Sequence, residues 1–147
     1  MPHSFASNLI HCVFSTKGRE PMIAAGLQEK LWAYLTGTGK HLGYALLATR
    51  GTENHVHVLF SLPATVPLST AVQKLKANSS RWMAEHGIAF QWQKGYGAFS
   101  VSPSQIPVVK AYIENQAEHH RKRNFEQELV ALLKKAGVAY DPRYVFG

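Results

Sequence analysis

The chain has 147 residues, the size of one compact domain spanning 1–147, and a hydrophobic fraction of 46% allows a real core. Sixteen Lys and Arg against nine Asp and Glu give a formal net charge of +7, which favours polyanionic partners, nucleic acid ahead of an anionic membrane. The lone cysteine, Cys12, excludes an internal disulfide, no apolar run approaches the roughly 18 residues of a membrane helix, and MPHSFASN lacks the pattern of a signal peptide, so the expectation is a cytoplasmic protein with no membrane span.

Leu9–Phe14 (LIHCVF) reads as a short buried strand, and STKGREP follows as a loop ending at Pro21. Leu27, Leu31, Tyr34 and Leu35 recur at helical spacing, which predicts an amphipathic helix over roughly 24–40. Tyr44–Thr49 and His55–Leu62 read as two strands joined by the turn-like GTEN, forming a hairpin. Pro67 opens a second helix, with Leu68, Val72, Leu75, Ser79 and Trp82 on one side and Gly87 near its end. WQKGYG is a loop, and Ala98–Val101 a further strand. The order is β-α-β-β-α-β, so the expected class is α+β with a ferredoxin-like sheet.

Beyond that minimal fold the pattern adds a helix from Ser104, a candidate N-cap, through Tyr112 to about Arg123. Pro107 falls in its first turn, where a missing N–H is harmless. Phe125–Lys135 is a further short helix ended by Gly137.

Two motifs carry chemistry. His55 and His57 sit two apart on a strand, so both imidazoles project from one face while Val56, Val58 and Phe60 face the core. Two ring nitrogens can then converge on a metal ion, although H-x-H is short and equally suits two solvated rings. Gln116 can supply a carbonyl oxygen as a third ligand. Tyr112 lies one helical turn before it, and a phenol can act as a nucleophile on a phosphodiester. A free phenol ionises near pH 10, so it needs a neighbouring cation to help. All three ligands are neutral, which leaves the ion its double charge. Alone, Tyr112 also reads as an aromatic packed on the sheet, and His119, His120, Arg121, Lys122 and Arg123 as a solvated basic face or as phosphate contacts.

These stretches together resemble the insertion-sequence-200-like transposases, small single-tyrosine enzymes of the HUH class. The resemblance rests on FSTKGREP, HVHVLF, WQKGYGAFSVSPS and YIENQAEHHRKRNFEQE, the last with the family's H-H and F-x-x-E positions. It implies that Tyr112 cleaves and rejoins single-stranded DNA at mobile-element ends through a 5′-phosphotyrosine link, freeing a 3′-hydroxyl. It implies that His55, His57 and Gln116 hold Mg²⁺ or Mn²⁺. It further implies recognition of DNA hairpins, a homodimer whose tyrosine helix can serve the partner's histidine pair, and no nucleotide cofactor. One departure stands out: the residue before the first histidine is often Asp, and here it is Asn54.

Single-stranded DNA also suits the basic composition, since such strands bind in cationic grooves with aromatic platforms. Candidate contacts are Lys17, Arg19, Lys74, Lys76, His119, His120, Arg121 and Arg123, with Trp82, Trp92, Tyr96 and Phe99 as candidate platforms. Two alternatives fit less well. An RNA-binding sheet would show aromatic, glycine-rich strand signatures where this chain has histidines. A histidine-triad hydrolase needs a third alternating histidine, where Leu59 stands.

Overall fold

The computed structural model describes residues 5–120, 122–143 and 145. Its elements are β1 Leu9–Ser15, α1 Ala25–Leu42, β2 Ala45–Gly51, β3 His55–Ser61, α2 Leu68–Glu85, β4 Gly97–Val101, α3 Ile106–Glu114, α4 Gln116–His119 and α5 Phe125–Ala136. The sheet order is β2-β3-β1-β4, and every neighbouring pair is antiparallel. This is the expected α+β, ferredoxin-like arrangement.

The period of two along the strands sorts side chains into two layers. Ile10, Cys12 and Phe14 of β1, with Val56, Val58 and Phe60 of β3, pack on one face against Leu31 and Leu35 of α1 and Val72, Leu75 and Met83 of α2. Each such buried side chain stabilises the fold by roughly 1.5–3 kcal/mol relative to exposure. On the opposite face Val13 packs on Phe125, Leu129 and Leu133 of α5, and Leu59 on Ile113 of α3. The inner strands are thus covered on both sides, which is why LIHCVF and HVHVLF read as nearly continuous apolar runs. The histidines of β3 belong to the second face, under the C-terminal helices.

The C-terminal helices differ from expectation in two places. Ser104 makes no cap; a 3-10 turn, Pro103–Gln105, leads into α3 instead, with Pro107 in the first turn. The long helix is also interrupted at Asn115 (φ −103°, ψ 28°) and, after α4, stops at His119 rather than near Arg123. Asn115 Nδ2 donates to Ala111 O at 2.8 Å, the local competition with helix hydrogen bonds for which asparagine is known. A capping box between Asn124 and Gln127 then starts α5, and Gly137 ends it in the left-handed conformation.

The β2–β3 turn brings backbone very close together. A Cβ on Gly51 would lie 2.0 Å from His55 O and 2.8 Å from Val56 Cα, whereas one on Gly37 would meet nothing within 4 Å. Gly51→Ala is expected to cost about 1–3 kcal/mol of stability, because the neighbour is backbone and cannot give way. Gly37→Ala, inside α1, is expected to gain about 0.5–1 kcal/mol. Urea denaturation of the two variants checks both signs; equal effects would contradict the close approach.

Candidate active site

β3 aims His55 and His57 into the layer formed by α3, α4 and α5. His57 Nε2 lies 2.9 Å from Glu128 Oε1, a residue of α5. The Tyr112 hydroxyl donates to the other oxygen of that carboxylate, Glu128 Oε2. Gln116 Nε2 donates to the same Oε2 at 3.3 Å, and Gln116 Oε1 lies 3.1 Å from His55 Nε2. His120 Nε2 is 3.2 Å from Glu128 Oε1. On the far side of His57, its Nδ1 is 2.8 Å from His11 Nε2 on β1. His55 and His57 are 0% exposed, and Gln116 and Glu128 1%.

Asn54 holds the first histidine. Its Nδ2 donates to Arg19 O at 3.3 Å, which turns Oδ1 toward His55 Nδ1 at 2.9 Å. An acceptor there makes Nδ1 the protonated nitrogen of the neutral ring, so the lone pair is on Nε2. The asparagine therefore orients His55 as an aspartate would.

Burial alone would raise the Glu128 carboxyl, but its hydrogen bonds, led by that from His120 and including that from His57, outweigh it and hold the group far below the usual carboxylate range. Tyr112 is pushed up, first by burial and then by its hydrogen bond to Glu128 and that group's charge. Burial, helped by the neighbouring His57, pushes His11 down to about 3. Burial also pushes His57 down to about 4, against the effect of its hydrogen bond to Glu128.

The donor set fits a metal ion. The ligating atoms of His55, His57 and Glu128 lie within 4.8 Å of one another. The His55 Nε2 lone pair faces Gln116 Oε1 at 3.1 Å and Glu128 Oε1 at 3.4 Å, both acceptors. Such atoms repel unless a proton or a cation sits among them. This group could hold a metal ion. Glu128 would add a negative charge to the three neutral ligands expected from the sequence.

The other residues singled out in the sequence divide. His119 packs against Tyr112 with ring centroids 4.4 Å apart, and its Nε2 is buried without a hydrogen-bond partner among the described residues. His120 joins the carboxylate cluster, Arg123 is exposed beside Tyr112, and Arg121 lies outside the described residues. Arg19 forms an ion pair with Glu126 at 2.8 Å. Lys17 is exposed in a 3-10 turn. Lys74 and Lys76 belong to α2, in the opposite layer from Tyr112, and Lys76 Nζ donates to Gln93 O at 2.9 Å and Gly95 O at 2.5 Å. Two candidate platforms are structural instead. Trp92 is in the core with Nε1 donating to Ser79 Oγ, and Trp82 is packed between Tyr34 and His86. Tyr96 is 40% exposed, and Phe99 is half-buried. Sequence reasoning assigned no role to Glu128 or His11. The F-x-x-E spacing in NFEQE was the available signal for Glu128.

The two depressed imidazoles set a pH dependence. An unfolded histidine titrates near 6.5, so between about 4 and 6.5 the unfolded chain binds more protons than the folded one, and stability rises with pH. Each ring contributes at most about 1.4 kcal/mol per pH unit. In EDTA, the thermal midpoint is expected to fall as pH drops from 7 toward 4, with a shallower fall in His11→Gln. A flat profile in the unmodified protein would contradict the buried neutral pair.

Comparison with known proteins gives a family and a fold. Residues 4–116 match the family described as Transposase IS200 like. No curated protein matches the chain. Among solved structures, a candidate transposase from Deinococcus radiodurans R1 is 22% identical with a TM-score of 0.63, over 79% of this chain and 95% of that one. A REP-associated tyrosine transposase bound to a REP hairpin is 12% identical with a TM-score of 0.61, over 82% of this chain and 72% of that one. At these identities the likeness to both is one of fold. The family match covers well over half of the sequence and both histidines, the tyrosine and the glutamine: the chain belongs to the IS200-like transposase family.

Proposed function

We propose that the whole chain, 1–147, is one catalytic domain that cleaves and rejoins single-stranded DNA through Tyr112. The observation that carries this reading is that one buried carboxylate, Glu128, binds the Tyr112 hydroxyl through one oxygen and His57 through the other. A phenol is thereby fixed next to a group able to hold a divalent cation.

In the reaction the Tyr112 phenol oxygen bonds to phosphorus and the bond from phosphorus to the 3′ oxygen breaks. The strand is left as a 5′-phosphotyrosine with a free 3′-hydroxyl, and the reverse attack rejoins it without a nucleotide cofactor. Glu128 Oε2 receives the phenol O–H and orients it; the phenol's proton leaves to solvent, and the departing 3′ oxygen takes one up. His55, His57 and Gln116, with Glu128, are the residues that would hold Mg²⁺ or Mn²⁺. Bound there, the ion would polarise a phosphate oxygen and favour the phenolate. His11 fixes His57 from behind, and Asn54 fixes His55. His119, against the Tyr112 ring, and exposed Arg123 lie where the phosphate backbone must pass. DNA hairpins at element ends are the proposed target, as the REP-bound neighbour is a protein of the same fold caught on a hairpin. A homodimer is part of the proposal; within the single chain Tyr112 lies against His57.

Incubation with labelled single-stranded DNA from an element end, with Mn²⁺ or EDTA, tests the chemistry on a denaturing gel. A metal-dependent covalent adduct is expected. Tyr112→Phe should lose it while binding in EDTA stays nearly unchanged, and His57→Ala should lose cleavage. Adduct formed by the Phe variant would sink the mechanism. Glu128→Gln is expected to weaken Mn²⁺ binding about ten- to a hundredfold by titration calorimetry; unchanged affinity would remove Glu128 from the ligand set.

A further inference from the structure

Beside Tyr112 the surface opens into a cavity of about 370 Å³ between β4, α3 and α5. Phe99, Val109 and Leu132 line it together with Tyr112, and Arg123 and Lys135 bring positive charge to it. We propose that this cavity is a nucleotide subsite, which takes the unpaired base next to the phosphate that Tyr112 attacks. The inference rests on the reading above and adds to it where the strand's base is read.

Geometry fixes the neighbourhood. A base flanking the attacked phosphate is at most one nucleotide from the nucleophile, and here the nucleophile's own ring is part of the cavity wall. The volume is at the lower end of the roughly 300–1,000 Å³ typical of small-molecule sites, enough for one nucleotide and too small for a base pair. Aromatic and apolar walls suit a π-face, which stacks with any base for about 1–3 kcal/mol. Polar readout is at hand as well. Among the described residues β4 pairs only with β1, so the outer edge of Phe99–Val101 offers backbone donors and acceptors at the cavity. His11 also lines it at 5% exposure; His57 takes its Nε2, which leaves Nδ1 for a ligand.

Charge selects a nucleic acid over a second copy of the chain. Arg123 and Lys135 are exposed and have no ion pair among the described residues. A chain of net charge +7 would bring like charge to them, whereas a strand brings phosphates.

The test scans a fluorescein-labelled single strand that spans the cleavage site, replacing one nucleotide at a time by an abasic unit. Binding is read by anisotropy in EDTA, and adduct formation with Mn²⁺ is scored in parallel on the unmodified strand. One abasic position beside the cleaved bond is expected to weaken binding about tenfold. Leu132→Trp, which fills the cavity, should cause the same loss on the intact strand and no further loss on that abasic one. Lys135→Gln, at an exposed position, should reduce the salt dependence of binding by about one phosphate contact. Adduct with no sensitive position, or losses that multiply, overturns the subsite alone. A Leu132→Trp variant that changes oligomeric state but not DNA affinity assigns the cavity to a second copy and also overturns it. No adduct on any strand overturns the cleavage reading instead.

Discussion

A carboxylate with 1% of its surface exposed is the constraint on which this site depends. An ionised carboxylate out of water is tolerated only when its oxygens are fully engaged. Glu128 meets that demand with partners from three places in the chain: His57 on β3, Tyr112 and Gln116 around the α3–α4 junction, and His120 just beyond. The same contacts that solvate the charge set the relative positions of the helices and the sheet. Gly97 helps, since a Cβ there would lie 3.2 Å from Leu129 Cδ1, close enough to disturb α5, the helix that carries Glu128.

Stability does not require such a cluster. Buried ionic groups can usually be replaced by apolar residues of similar volume with little loss, because their desolvation offsets their attraction. The second face of the sheet already has an apolar set in Val13, Leu59, Ile113, Phe125 and Leu129. Polar chemistry placed between these contacts therefore points to use, and the cleavage proposed above is a use that needs both a phenol and a cation.

The parts of this arrangement that follow a local period were readable in the sequence. His55 and His57 alternate with Val56 and Val58, so the strand and its two faces follow from side-chain direction alone, as does the four-residue spacing of Tyr112 and Gln116. What was not readable depends on contacts distant in sequence. Glu128 is 71 residues from His57 and shares its helix with Glu126, a surface acid paired with Arg19, so its sequence neighbourhood looks like an ordinary polar face. Arg19 and Lys76 look free in the sequence, but one is paired with Glu126 and the other secures the 91–96 loop. Trp82 and Trp92 were ambiguous for the same reason: an aromatic's place in core or groove is set by packing partners, not by its neighbours in the chain. The interruption at Asn115 shows the opposite limit, a local side-chain hydrogen bond too small to register in a helical pattern.

Tyr112 is the member of the cluster that reaches both environments. Its hydroxyl is held by the buried carboxylate, while its ring forms part of an open cavity. With Glu128 charged and uncompensated, burial and that negative charge both favour the protonated phenol, so the resting protein holds a poor nucleophile. Glu128 opposes phenolate formation only while nothing offsets its charge. On the proposed reading, a dication shared by Glu128 and the two histidines would reverse the sign of the local field at the phenol oxygen. Arg123, whose charge already acts in that direction, and an incoming phosphate would then meet an activated oxygen at the cavity wall. One carboxylate would thus do two opposite things: keep Tyr112 inert without the ion, and recruit the ion that makes it reactive.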